Sequence, residues 1–225
     1  MGTDKPAGRR AVFLDRDGVI NQNVLNAATG EWEAPLTAAE FGLVPGAREG
    51  LQRLRDAGFL LFLVSNQPNH AKGKSSLKEM GAIHDRLLRE LEAMRVEFAA
   101  FYYCLHHLEG IVAAYSGACM CRKPSPYFLL KAAREFGVDL AQSWMVGDRT
   151  TDVLCGRVAG VRTVLIDAEG AVARKIAPDR VARNLGEAAE MICAAPGERL
   201  PELQVEAMWI FRDGDGDAIA DWLRG

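Results

Sequence analysis

Two aspartates one residue apart, Asp15 and Asp17, follow the apolar run Ala11–Leu14 and precede Gly18. Ser65 and Asn66 close the run Phe59–Val64, Lys123 follows the run Phe98–Cys104 after an irregular stretch, and Asp148 and Asp152 follow Ser143–Gly147. Two carboxylates delivered by one strand end suit metal binding and nucleophilic chemistry. A hydroxyl and an amide suit phosphate oxygens, and a lysine neutralises phosphate charge. Mg²⁺ takes few carboxylates and completes its shell with waters and substrate oxygens, so the ligand count suits it. Phosphoryl transfer chiefly requires in-line positioning and charge neutralisation, and this set offers both. Each element alone has a plainer reading: a turn cap at Ser65, a solvated charge at Lys123, a helix cap at Asp148 and Asp152. In this order, each at a strand end, they read as a set.

A second constellation lies between the third run and Lys123. Cys104-x-His106 and Cys119-x-Cys121 supply three thiolates and an imidazole across a 12-residue loop, a Cys₃His set suited to tetrahedral zinc. His107 has the poorer spacing. A four-ligand site leaves no open position, so Zn²⁺ is expected to fold the 104–121 loop rather than catalyse. Five cysteines, an odd count with three clustered, fit a metal site in a reducing compartment better than a disulfide framework.

The elements that must position these groups alternate. Helical spacing covers 47–57, stopped by Gly58, and 77–94, with Met80, Ile83, Leu87, Leu91 and Met94 on one face. Further helices are expected from Pro126 to about Phe136, over 150–159 and over 187–193, with strands at 161–166 and within 179–185. Residues 22–46 read as loop or a small flap. Strands alternating with helices predict an α/β, Rossmann-like three-layer fold with a mostly parallel sheet, whose ligands lie beyond the strands' carboxyl ends. One domain is expected over 10–196 and an appendage of unknown role over 197–225. Within the appendage, Asp213–Asp217 superficially matches the start of a calcium loop. Ala218 and Arg224 stand where that loop needs glycine and glutamate, so a solvated acidic turn is expected.

With 49% hydrophobic and 25% charged residues and a net charge of −3, the composition points to neither a nucleic-acid nor a membrane partner. No apolar run approaches the roughly 20 residues of a membrane span, and residues 1–10 lack the apolar core of a signal peptide. A cytoplasmic protein is expected. Oligomeric state is not legible.

The four motifs Asp15-Arg16-Asp17-Gly18, Ser65, Lys123 and Gly147–Asp152 resemble those of the haloacid dehalogenase superfamily of phosphohydrolases over about residues 10–195. The resemblance implies that Asp15 attacks phosphorus and Asp17 serves as acid and base. It implies that Asp15, the Asp17 carbonyl and Asp148 hold Mg²⁺, and that Ser65, Asn66 and Lys123 hold the phosphoryl group, with Asp152 in support. The cysteine set and the lack of room for a large cap domain resemble the zinc-loop members that act on heptose bisphosphates or histidinol phosphate. The loop length favours the heptose group. That likeness implies that Arg122 contacts the distal phosphate of a small phosphorylated substrate. Lys72 and Lys74, in the loop after the second strand, read either as added charge at the pocket rim or as ordinary solvated lysines. One departure is local: this chain has Asn66-Gln67-Pro68-Asn69 where the heptose enzymes usually have Asn-Gln-Ser-Gly. A catalytically silent zinc-stabilised binding module is the reading from another class, and the intact Asp15, Asp17, Lys123 and Asp148 argue against it.

Overall fold

The structure is a computed structural model, and residues 8–26, 30–170 and 172–195 are described. The proposed appendage and the acidic turn at Asp213–Asp217 lie outside them. In chain order the elements are β1 (Ala11–Leu14), β2 (Val24–Leu25), β3 (Trp32–Glu33), α1 (Ala47–Asp56), β4 (Leu60–Asn66), α2 (Leu77–Met94), β5 (Ala100–Cys104), α3 (Tyr127–Phe136), β6 (Trp144–Gly147), α4 (Thr150–Ala159), β7 (Arg162–Ile166), α5 (Ala173–Ile176), β8 (Arg180–Ala182) and α6 (Leu185–Ala194). Six strands form one sheet in the order β5-β4-β1-β6-β7-β8, every pair parallel. β2 and β3 form a separate antiparallel hairpin within the 22–46 segment.

The central strands are apolar along their length because both faces are covered. Val12 and Leu14 of β1 pack with Leu51, Leu54, Ile83, Leu87 and Leu185 from α1, α2 and α6. Ala11 and Phe13 face the opposite way, toward Leu129 and Ala132 of α3 and Cys155 and Ala159 of α4. β4 alternates likewise, with Leu61 and Leu63 on the first side and Phe62 and Val64 on the second. This period of two sets the facing of the first polar residues beyond β1 and β4. α2 starts at a capping box in which Ser76 Oγ accepts from the Glu79 amide and the Glu79 carboxylate accepts from the Ser76 amide. Among the described residues no helix is long and apolar enough to cross a membrane.

Candidate active site

The carboxyl ends of β1, β4 and β6 open into one pocket of about 500 Å³ lined by Asp15, Asp17, Asn66, Lys123 and Asp148. Asp15 continues the face of Ala11 and Phe13, so it points to the α3/α4 side, where Lys123 and Asp152 lie. Lys123 is 2% exposed, and its ammonium lies 3.0 Å from Asp15 Oδ1 and 2.6 Å from Asp152 Oδ1. It also donates to the Val64 carbonyl at 2.8 Å. Burial pulls its pKa down, but Asp15 and Asp152 hold it above the ordinary lysine value, so the charge persists.

The carboxylates of Asp15, Asp148 and Asp152 can each place an oxygen within 4.8 Å of the others. Asp148 Oδ1 is sealed from solvent and has no hydrogen-bond partner among the described residues, the nearest cation being Arg149 Nε at 3.9 Å. Burial, reinforced by Asp15 and Asp152, pushes the Asp148 carboxyl up to about 8. Crowded carboxylates with an orphaned oxygen have the donor chemistry a divalent cation requires. Two glycines make room for them. A methyl group on Gly18, which sits at φ +80°, would lie 2.3 Å from Asp148 Oδ2, and one on Gly147 would lie 2.2 Å from the Asp152 side chain.

The Asp17 carboxylate stands outside that acidic cluster. Its Oδ1 accepts from Arg16 Nη2 at 3.0 Å and Asn21 Nδ2 at 2.9 Å, and its Oδ2 from Gln67 Nε2 at 2.5 Å. Arg16 continues the face of Val12 and Leu14, which carries it away from Asp15's partners and beside Tyr103. Sequence reasoning did not single out Arg16, Asn21 or Gln67 for roles at the site. Arg16 and Gln67 stand inside the stretches Asp15-Arg16-Asp17-Gly18 and Asn66-Gln67-Pro68-Asn69, but an arginine, an asparagine and a glutamine carry neither a nucleophile nor a metal-ligand signature.

Ser65 Oγ is buried and accepts from Gln67 Nε2 at 3.0 Å, leaving its own hydrogen to donate. Asn66 shares the side of Phe62 and Val64, and there its amide clamps the Lys123 backbone. Oδ1 accepts from the Lys123 amide and Nδ2 donates to the Lys123 carbonyl, both at 3.0 Å. The sequence reading gave Asn66 a phosphate-binding task; its principal contacts here are with Lys123.

Beside the pocket, Cys104 and Cys119 sulfurs are 3.5 Å apart, Cys119 and Cys121 3.6 Å, and Cys121 Sγ lies 3.8 Å from His106 Nδ1. A disulfide requires about 2.05 Å. Ligands about 2.3 Å from a central ion at tetrahedral angles stand about 3.8 Å apart, so these spacings fit a shared cation. The sulfur contacts with Cys104 and Cys121 hold the Cys119 thiol below its ordinary value, and the contact with Cys119 pushes Cys104 up to about 11. His107 instead accepts from the Glu109 amide. Arg122 lines the pocket and donates to the His106 carbonyl at 3.1 Å, which ties its guanidinium to the cysteine loop. Lys72 and Lys74 line the rim, but Lys74 is engaged by Glu33 of β3 at 2.7 and 2.9 Å. Lys72 makes no such ion pair among the described residues.

Residues 120–188 match the HAD-hydrolase-like family. The D-glycero-D-manno-heptose-1,7-bisphosphate 7-phosphatase of Thermosynechococcus vestitus is 37% identical over 196 residues, spanning 82% of this chain and 96% of that protein. Among solved structures, a HAD-like phosphatase from Mesorhizobium loti has TM-score 0.71 at 28% identity, covering 88% of this chain and 93% of that one. The D,D-heptose 1,7-bisphosphate phosphatase of B. bronchiseptica, solved with magnesium and phosphate, has TM-score 0.67 at 30% identity over 82% of this chain and 98% of that one. With that extent of likeness and four motifs converging at the sheet edge, the chain belongs to the haloacid dehalogenase superfamily and is a hydrolase of phosphomonoesters.

Proposed function

We propose that the chain removes the 7-phosphate of a D-glycero-D-manno-heptose 1,7-bisphosphate through an aspartyl-phosphate intermediate. The observation that carries the chemistry is the convergence of Asp15, Lys123 and Asp148 in one pocket, with the Asp17 carboxylate held separately. An Asp15 oxygen attacks phosphorus, the bond to the sugar oxygen breaks, and Asp17 gives that oxygen its proton. Asp17 then takes a proton from water as the water oxygen attacks the aspartyl phosphate. Inorganic phosphate leaves, and the Asp15 carboxylate is restored. The Lys123 ammonium and the Ser65 hydroxyl balance charge on the transferring group, and Asn66 holds Lys123 in place through its backbone.

Asp15, Asp148 and the Asp17 carbonyl would hold Mg²⁺, with Asp152 in support. Bound there, the ion adds positive charge beside the phosphoryl oxygens. The Cys104, His106, Cys119 and Cys121 set would hold Zn²⁺ in a closed structural site. The sugar assignment draws on the names of the relatives and on Arg122. Lys123 is committed to the transferring phosphate, so the guanidinium fixed by His106 is free to take a second phosphate.

Turnover across phosphorylated heptoses and histidinol phosphate tests this reading. The heptose bisphosphate should have the highest kcat/KM. Arg122→Ala should remove most of its advantage over monophosphates, by about 10- to 100-fold for one charge-assisted contact. A preference for histidinol phosphate, or an equal loss on all substrates in Arg122→Ala, removes the heptose assignment and leaves the phosphatase.

A further inference from the structure

Gln67 is 2% exposed and every polar handle of its amide is engaged. Nε2 donates to Asp17 Oδ2 at 2.5 Å and to Ser65 Oγ at 3.0 Å, while Oε1 accepts from Arg16 Nη2 at 3.0 Å. The amide therefore has one workable orientation, because turning it over would set Oε1 against a carboxylate. The two Asp17 oxygens are treated differently. Oδ1 carries Asn21 at 2.9 Å and the closer Arg16 contacts at 3.0 and 3.2 Å. Oδ2 keeps Gln67 and a longer Arg16 contact at 3.3 Å. Arg16 is itself buried and braced by Tyr103, so the frame around the carboxylate is rigid on that side.

We propose that Gln67 is a positioning residue for Asp17, holding Oδ2 as the oxygen that passes the proton to the leaving group and takes one from water. This rests on the acid and base role proposed for Asp17. A neutral amide suits the task. It fixes Oδ2 by a hydrogen bond that does not require a charged acceptor, and the proton takes the lone pair that faces only the long Arg16 contact at 3.3 Å. Arg16 already favours the unprotonated form, mainly through Oδ1, and a second cation in place of Gln67 would hold Asp17 ionised. The same Nε2 reaches Ser65, so the proton-transferring oxygen and the phosphate-facing hydroxyl share one reference point.

The consequence depends on the leaving group. An alkoxide needs a proton as its bond to phosphorus breaks, whereas nitrophenolate does not. kcat/KM reports steps up to leaving-group release, so it isolates that difference. Gln67→Met removes the hydrogen bonds at similar length, and Gln67→Glu keeps the shape but sets a negative charge against Asp17. Misplacing a catalytic group by about 1 Å costs on the order of 100-fold. Each variant should therefore lose about 10- to 100-fold in kcat/KM on the heptose bisphosphate, and at least about tenfold less on p-nitrophenyl phosphate. Asp17→Asn, measured in parallel, should show the same pattern more strongly. Equal losses on both substrates in the Gln67 variants, or no loss, overturn the inference while an Asp17→Asn leaving-group effect keeps the proposed function intact. If Asp17→Asn shows no leaving-group dependence, both fall. Should Gln67→Met not fold, the Gln67→Glu comparison decides alone.

Discussion

Replacing Lys123 by methionine separates two contributions that the structure ties together. The ammonium lies 2.6 Å from Asp152 and 3.0 Å from Asp15, both substantially buried. At an effective dielectric of about 20, each contact is worth about 5 to 6 kcal/mol of gross attraction. Desolvating the lysine and the carboxylates costs several kcal/mol per ion, which leaves the intact set near balance. Lys123→Met keeps the desolvation of the carboxylates and removes the attraction, so a loss of about 3 to 5 kcal/mol is expected in metal-free protein. For a domain of this size that lowers Tm by roughly 6 to 20 °C. Adding Asp152→Asn removes one of the two carboxylate charges left unpaired, so the double variant should be more stable than Lys123→Met alone, and the two substitutions should couple by about 0.5 to 3 kcal/mol. Thermal melts of the four proteins in chelator, read by circular dichroism, measure this. Both Lys123 variants should lack phosphatase activity, so activity cannot mimic the result. A Tm for Lys123→Met within about 2 °C of wild type, or a double variant less stable than either single one, would refute the account of the cluster as a balanced charge set.

Two further outcomes are expected. Purified protein should carry about one zinc ion per chain, and Cys119→Ser should lose it, lower Tm and erode the preference for a bisphosphate, because Arg122 hangs from the His106 carbonyl; elemental analysis finding no zinc in wild type removes this. The Glu33 carboxyl is held below its usual range, first by its bond from Lys74 and then by Asn26, so the stability it contributes is present above the unfolded value of about 4.3 and lost as pH falls through the lower folded value. Glu33→Gln should therefore flatten the acid side of the stability profile from about pH 4.3 downward, and an unchanged slope would show that the hairpin is not latched there.

The strands were readable because they are buried on both faces. β1, β4, β6 and β7 are short apolar runs whose type, though not facing, follows from burial. The 22–46 segment was readable only as loop or flap: β2 and β3 have two residues each, too few for a period to show. α6 begins at Leu185, two residues before the expected 187, because the Asn184 side chain accepts from the Glu187 amide and caps the turn earlier. The cysteine pairs were legible in kind because ligand spacing is local. Their place beside the catalytic pocket was not, because that depends on how β5 is paired.

The pocket carboxylates and the residues around them differ in legibility for one geometric reason. A strand end presents its last residues alternately to opposite faces, and only the facing decides which partners they meet. Ser65 and Gln67, two apart, share the side of Leu61 and Leu63, and they bond to each other and onward to Asp17. Asn66, between them, falls on the side of α3 and meets the Lys123 backbone. Asp15 and Arg16 divide in the same way, one to Lys123 and the other to Asp17 and Gln67. The sequence places an aspartate, a serine, an asparagine and a lysine at one sheet edge, and from there every hydrophilic side chain is an equal candidate for phosphate. Counting by twos from the buried apolar positions sends Asp15 and Asn66 to the Lys123 side and Arg16, Ser65 and Gln67 to the other, whereas Asp17, three residues beyond β1, departs from that count and joins Arg16 and Gln67. That sorting makes Asn66 and Gln67 distinct, though they are neighbours in sequence and nearly identical in chemistry.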